Sequence, residues 1–117
     1  MPSELASKKC LPCRGGVPPL PAQEQTRLLG QLKGWELNAK GHLEKTYLYK
    51  GFRDGLEFVK RVGEMCEEQG HHGDIFLAWG KVGVEVWTHK INGLTESDFI
   101  FAAKIDSAFE SFGEGQQ

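Results

Sequence analysis

Histidine placement is the feature of this sequence with the clearest chemical potential. Two of the four histidines, His71 and His72, are adjacent, and Glu67 precedes them by one helical turn. The carbonyl groups at a helix C-terminus and a nearby carboxylate both favour a protonated imidazole, which can donate a proton near neutral pH. His89 follows at the end of an alternating apolar run. These residues could therefore supply an acid and a base to one pocket.

Simpler interpretations of the same region stay open. A histidine pair after a helix can be a solvated cap, and three histidines with Glu67 could ligate zinc, although their spacing matches no common closed zinc site. Asp98 has the position of the capping-box carboxylate in residues 95–98. Trp79 and Trp87 are typical of core or interface aromatics. The residue types alone leave catalysis, metal binding and a structural role possible.

The three cysteines fall into two groups. Cys10 and Cys13 form a lone Cys-x-x-Cys pair. Zinc would need two further ligands and redox chemistry a thioredoxin-like setting, so a disulfide and a metal site shared by two copies remain alternatives. Cys66 falls on a helical apolar stripe and is predicted to be a small core residue. An odd cysteine count is typical of a reducing compartment, so we expect a cytoplasmic protein.

Hydrophobic periodicity predicts the elements that would position these residues. We expect an irregular arm over residues 1–20, one domain over 21–113 and a frayed tail over 114–117. The patterns in the domain follow the order helix, two strands, helix, two strands, helix. Short turns join the paired strands, so the sequence predicts an α+β fold with a four-stranded antiparallel sheet and helices packed on one face.

Three finer expectations concern element boundaries and faces. The first helix is expected to start at Pro21 and end at Gly34. The last strand is expected to reach His89, with that side chain on the face opposite a row of valines. The apolar stripe of the second helix is expected at Phe52, Leu56, Val59, Val62 or Gly63, and Cys66.

Composition excludes several classes of function. The 117 residues carry 14 Lys+Arg against 16 Asp+Glu, a net charge of −2, which lacks the basic excess of a protein that grips nucleic acid directly. No apolar run approaches the roughly 20 residues of a membrane span, and residues 1–16 lack the apolar segment of a secretory signal. A domain of this size buries a modest share of its surface, so oligomerisation would be a natural supplement.

Five points of the sequence resemble the pterin-4a-carbinolamine dehydratase family, in which a Glu, an adjacent His pair, an aromatic residue, a further His and an Asp recur at these separations. They are Glu67, the pair His71 and His72, Trp79, His89 and Asp98. The match covers roughly residues 20–112. It implies the same order of helices and strands, and assembly as a homodimer or homotetramer.

The resemblance also implies a reaction. A 4a-hydroxytetrahydropterin would lose water to give the quinonoid dihydropterin, which recycles the pterin cofactor of aromatic amino-acid hydroxylases. An acid and a base suffice for this step, so no metal or organic cofactor is expected. The implied roles are proton donation to the departing hydroxyl by His71 and His72, a second proton-transfer or binding role for His89, and pterin contacts or support from Glu67, Asp98 and Trp79.

Some positions depart from the family pattern. Gly73 stands where a proline commonly follows the histidine pair, which is expected to loosen the pocket wall, and Gly70 and Ile75 replace an Asp and a Trp of the animal enzymes. The segments around Trp79 and Trp87 are closer to bacterial or plastid-type members, some of them associated with molybdopterin metabolism. A rival interpretation is a pterin- or protein-binding module with little turnover, since animal members are also dimerisation cofactors of a transcription factor.

Overall fold

The computed structural model describes residues 19–71 and 73–113 of the chain. Its elements are α1 (Ala22–Leu29), β1 (Glu36–Leu37), β2 (Leu43–Leu48), α2 (Arg53–Gln69), β3 (Asp74–Ala78), β4 (Lys81–Val86) and α3 (Glu96–Gly113). The predicted order of helices and strands is confirmed. Most of the predicted arm, the predicted tail and His72 lie outside the described residues. None of the helices in the described part of the chain is both long and apolar enough to cross a membrane.

The four strands form one antiparallel sheet in the order β1-β2-β4-β3. Hairpins join β1 to β2 and β3 to β4, and α2 makes the crossover between them. Asp74 at the start of β3 pairs with Glu85 near the end of β4. The segment after α2 and the segment after β4 therefore meet at the same end of the sheet.

One face of the sheet is covered by helices, as predicted. Val82, Val84 and Val86 alternate along β4 and are buried, while Lys81 on the other face is exposed. Phe58 of α2 has no exposed surface and packs in the core formed with these valines. Because strand side chains alternate between faces, burial of one face leaves the other to solvent.

The first helix is shorter than predicted. It ends at Leu29, with Gly30 as its cap, and does not reach Gly34. Gln31 donates its backbone N–H to the carbonyl of Leu28, three residues back, so the chain tightens out of the α-helix there. Gly34 has a φ of +79°, a conformation that a right-handed helix does not contain.

The second helix ends where the sequence predicts, at a left-handed Gly70 with a φ of +63°. Its predicted stripe is partly wrong, since Phe52 is exposed and the buried residues are Gly55, Phe58, Val62, Met65 and Cys66. The missing side chain of Gly55 explains the rotation. A Cβ there would lie 3.2 Å from a methyl carbon of Leu77, so the helix turns this face to the sheet. Cys66 is a core residue, as predicted, and burial raises the pKa of its thiol.

A polar cluster fixes α3 against the sheet. The Asp106 carboxylate accepts hydrogen bonds from Trp35 Nε1 at 3.0 Å, Lys45 Nζ at 2.7 Å and the Tyr47 hydroxyl at 2.6 Å. Burial and the Asp106 charge raise the pKa of Tyr47 well above its usual value. This cluster ties β2 to the middle of α3 and so helps to set where the N-terminus of α3 lies.

Candidate functional site

His71 turns into the protein directly after α2. Its backbone N–H donates to the carbonyl of Cys66 at 3.1 Å, and the left-handed Gly70 redirects the chain. The imidazole is 1% exposed, and its Nε2–H donates to Asp98 Oδ1 at 2.6 Å. The Phe101 ring lies 5.3 Å from it, centroid to centroid. The bond to the Asp98 carboxylate is charge-assisted and, together with the Phe101 contact, fixes the orientation of the ring.

Asp98 joins the histidine to two other segments. Its side chain is fully buried, and Oδ2 accepts from the backbone N–H of Thr95 and from the Thr88 hydroxyl, each at 2.8 Å. The bond from Thr95 confirms that Asp98 caps α3, where the helix dipole also favours a negative charge. The histidine that Asp98 holds is His71 and not His89.

His89 lies beyond the last strand and not on it. The strand β4 ends at Val86, and Thr88 exchanges backbone hydrogen bonds with Gly93, at 2.8 and 3.4 Å, as the chain reverses. His89 opens the short 3₁₀ turn that this reversal encloses, and it is exposed. The prediction that the strand reaches His89 is therefore wrong. The side chain is exposed, and its availability to a pocket or interface stays a prediction.

Three rings stack beside this turn. The His89 ring lies parallel to Trp87, 4.2 Å away and with 6° between the planes. The other face of Trp87 stacks on His42, again at 4.2 Å and with 2° between the planes. His42 is buried, and the sequence patterns do not identify it as a site residue. No local pattern identifies it, because its partners come from remote parts of the chain.

Glu85 forms a hydrogen bond with His42, the buried ring of this stack. Its Oε2 accepts from His42 Nδ1 at 2.7 Å and from Asn38 Nδ2 at 2.9 Å. Partial burial opposes ionisation of the carboxyl group, but these two hydrogen bonds hold the pKa of Glu85 below its usual value. The carboxylate is therefore an acceptor for His42 across the neutral pH range.

The two other predicted site residues that the structure describes, Glu67 and Trp79, are both exposed. Glu67 is exposed on the last turn of α2, one turn before His71. Trp79 is 73% exposed in the turn that follows β3, so the length of that strand, about 13 Å, separates it from the His71 end of the sheet. Within this chain the structure brings together His71, Asp98 and the turn of His89, but not Trp79.

Gly73 packs closely against β4. A Cβ at this position would lie 2.7 Å from the carbonyl oxygen of Glu85 and 3.4 Å from Val86 Cγ2. The glycine thus allows the segment between α2 and β3 to lie tightly on the central strand. This contrasts with the looser pocket wall expected from the absence of proline.

Comparison with known proteins identifies the family. The model of the family described as pterin 4 alpha carbinolamine dehydratase matches residues 18–108 of the chain. The chain belongs to the pterin-4α-carbinolamine dehydratase family. The match includes every residue of the His71–Asp98 cluster and the ring stack. The resemblance found in the sequence is thereby confirmed.

Relatives in this dehydratase family cover almost the whole chain. A protein of Rubrobacter xylanophilus whose name places it in the family is 57% identical over 104 residues, which cover 89% of this chain and 97% of the relative. One from Rickettsia canadensis is 49% identical over 104 residues, covering 88% and 95%. A crystal structure from Brucella melitensis, described as a transcriptional coactivator/pterin dehydratase, aligns with a TM-score of 0.73 at 27% identity and covers 78% of this chain and 98% of that one.

Proposed function

We propose that this protein converts 4a-hydroxytetrahydropterins into quinonoid dihydropterins by general acid–base catalysis, and so recycles the cofactor of aromatic amino-acid hydroxylases. Family membership supports the dehydratase class. The observation that carries the proposal is the buried Asp98, which binds His71 and, through Thr88, the turn that presents His89. One carboxylate thus helps to position two imidazoles, the buried ring of His71 and the exposed ring of His89.

The chemistry needs two proton transfers. A protonated group gives a proton to the departing 4a-hydroxyl, which leaves as water, and a second group takes the proton that a pterin ring nitrogen loses. We assign donation to His71 and His72 and the second transfer, or pterin binding, to the exposed His89. Asp98 accepts from His71 Nε2–H, which fixes the tautomer and orientation of that ring and would stabilise its charge when it takes up a proton.

Removal of the exposed imidazole tests this assignment. The carbinolamine is generated by an aromatic amino-acid hydroxylase, and formation of quinonoid dihydropterin is followed by absorbance. The wild-type protein should accelerate dehydration over the spontaneous reaction, and His89→Ala should lower that rate on the order of 100-fold because a proton-transfer group is lost. Lys90→Ala is the matched control, since Lys90 is exposed on the same turn.

Three outcomes would contradict the proposal. The wild-type protein could leave the spontaneous rate unchanged, or His89→Ala could retain full activity. Stoichiometric zinc in the purified protein that disappears in His89→Ala would replace metal-free proton transfer with a metal site.

A binding module is the second candidate, because the aligned Brucella protein is described as a transcriptional coactivator as well as a pterin dehydratase. Under this alternative the chain binds a pterin or a protein but turns over slowly. Quenching of tryptophan fluorescence by a stable dihydropterin, without any acceleration of dehydration, would favour the module over the enzyme.

We also propose that the protein acts in the cytoplasm as a homodimer or homotetramer. Among the residues that the structure describes, the strand β3 pairs only with β4, so its outer edge can pair with a second chain. Phe76 on this strand is 60% exposed, and Trp79 beside it is 73% exposed. Exposed aromatic side chains next to an open strand edge are typical of interfaces.

Sedimentation equilibrium checks this assembly. We expect a mass two or four times the 13.1 kDa of the chain, and we expect Phe76→Asp to shift the population towards monomer. Leu37→Asp is the control, because Leu37 is also exposed but lies on β1 at the opposite edge of the sheet. A wild-type protein that stays monomeric at all concentrations would contradict the proposal.

A further inference from the structure

His42 is the buried ring of the stack that includes Trp87 and His89. Trp87 has both faces covered, by the buried His42 on one side and the exposed His89 on the other, with 4.2 Å between ring centroids in each case. An exposed imidazole on a surface turn would ordinarily sample several rotamers. Here a parallel indole limits its orientation, and that indole is itself supported from below by His42.

The His42 ring is held in its own plane by the β1–β2 turn and by β4. Nδ1 donates to Glu85 Oε2 at 2.7 Å, and the same oxygen accepts from Asn38 Nδ2 at 2.9 Å. The backbone N–H of His42 in turn donates to Asn38 Oδ1 at 3.0 Å. A buried ring with these contacts has little freedom to tilt, so the face that it presents to Trp87 is fixed.

The second ring nitrogen of His42 reaches the turn of His89 directly. Nε2 lies 3.1 Å from Asn92 Oδ1. Asn92 closes that turn with a left-handed backbone, φ 47° and ψ 47°, and its N–H donates to the carbonyl of His89 at 3.2 Å. His42 therefore supports His89 twice, through the indole beneath it and through the residue that closes its turn.

These contacts exceed what a histidine that only fills space would make. The His42 ring contacts two residues that are remote from it in sequence, Glu85 43 residues away and Asn92 50 residues away. The described contacts of its imidazole are with Trp87 in the stack, with Glu85, and with Asn92, which closes the turn of His89. The element that its removal would loosen is the turn that presents His89.

We propose that His42 is a positioning residue that holds His89, through Trp87 and Asn92, in the orientation needed for proton transfer. The proposal rests on the function proposed above for His89. Misplacement of a reacting group by about 1 Å can cost on the order of 100-fold in rate. Loss of His42 should therefore lower kcat more than it raises KM, because the substrate still meets the same surface.

Two variants separate positioning from folding. His42→Phe retains a ring against Trp87 but removes both polar contacts, and Asn92→Gly removes only the side chain that His42 reaches, since glycine tolerates the left-handed backbone. Each should retain cooperative unfolding and lower kcat roughly 10- to 100-fold with a smaller change in KM. Lys90→Ala, on the same turn, is the control and should behave as the wild-type protein.

A spectroscopic readout makes the test independent of turnover. Stacking on an indole shifts the ring-proton NMR resonances of His89 upfield, and these signals are assigned by their loss in His89→Gln. We expect them to move towards unstacked values in both variants and to stay in place in Lys90→Ala. If the shifts and kcat are unchanged in folded Asn92→Gly and His42→Phe, the positioning role is wrong. If the wild-type protein lacks turnover but the shifts move in both variants, the dehydratase proposal alone fails.

Discussion

Replacement of Asp98 by alanine is expected to lower the free energy of unfolding by about 3–5 kcal/mol and to remove dehydratase turnover. The carboxylate has no exposed surface, and it accepts from His71 at 2.6 Å and from Thr88 and Thr95 at 2.8 Å. Its removal leaves an imidazole, a hydroxyl and a backbone N–H buried without that acceptor. Urea denaturation followed by circular dichroism measures the loss of stability.

Asp98→Asn separates the fold from the chemistry. The amide oxygen can still accept from Thr88 and Thr95, but the amide nitrogen cannot accept the proton of His71 Nε2. We expect a smaller loss of stability than in Asp98→Ala and a fall in kcat on the order of 100-fold or more, because the histidine loses the partner that sets its tautomer. Glu96→Ala is the control, since it removes a carboxylate from the same first turn of α3. An unchanged unfolding midpoint in Asp98→Ala would contradict the role assigned to this residue.

Local patterns predicted much of the fold because the signals lie within each element. The valines of β4 alternate in sequence and in burial, and Gly70 ends α2 in the conformation that favours glycine. The capping role of Asp98 is equally local, since its partner Thr95 is three residues away. Such features depend on neighbours along the chain, which the sequence displays directly.

The missed features depend on contacts between remote residues. The rotation of α2 is decided by how closely Gly55 can approach β3 and β4, and helical periodicity alone leaves the choice of face ambiguous. A motif search does not find His42, because each residue that forms a hydrogen bond with its imidazole is more than 40 residues away. His71 and Asp98 are 27 residues apart, so the periodicity of one element does not relate them. The resemblance to the family is what indicated both residues.

His71→Gln is the second change with a large expected effect. We expect kcat to fall on the order of 10²- to 10⁴-fold, because the variant lacks the group that we propose gives a proton to the departing hydroxyl. The loss of stability should be about 1–3 kcal/mol, below that of Asp98→Ala, since Thr88 and Thr95 still donate to the carboxylate and a glutamine amide can donate as well. Dehydration kinetics and urea unfolding of the same preparation measure both quantities.

The control for His71 must destabilise the same contact without removing the proton-transfer group. Phe101→Leu does this, because the Phe101 ring packs on His71 and is fully buried. It should cost roughly 1 kcal/mol of stability with a much smaller fall in kcat. If Phe101→Leu and His71→Gln lower kcat equally, the loss reflects packing and not proton transfer.

The double variant decides whether His71 and Asp98 act as one unit. Residues that act together in catalysis show strongly non-additive effects on rate, so His71→Gln combined with Asp98→Asn should be little slower than the slower single variant. Independent contributions would instead multiply. Asp98 is fully buried, and its partners among the described residues are His71, Thr88 and Thr95, so we expect it to act on the pterin through His71 or through the turn of His89. Multiplying effects would therefore locate its influence at Thr88 and the turn that presents His89.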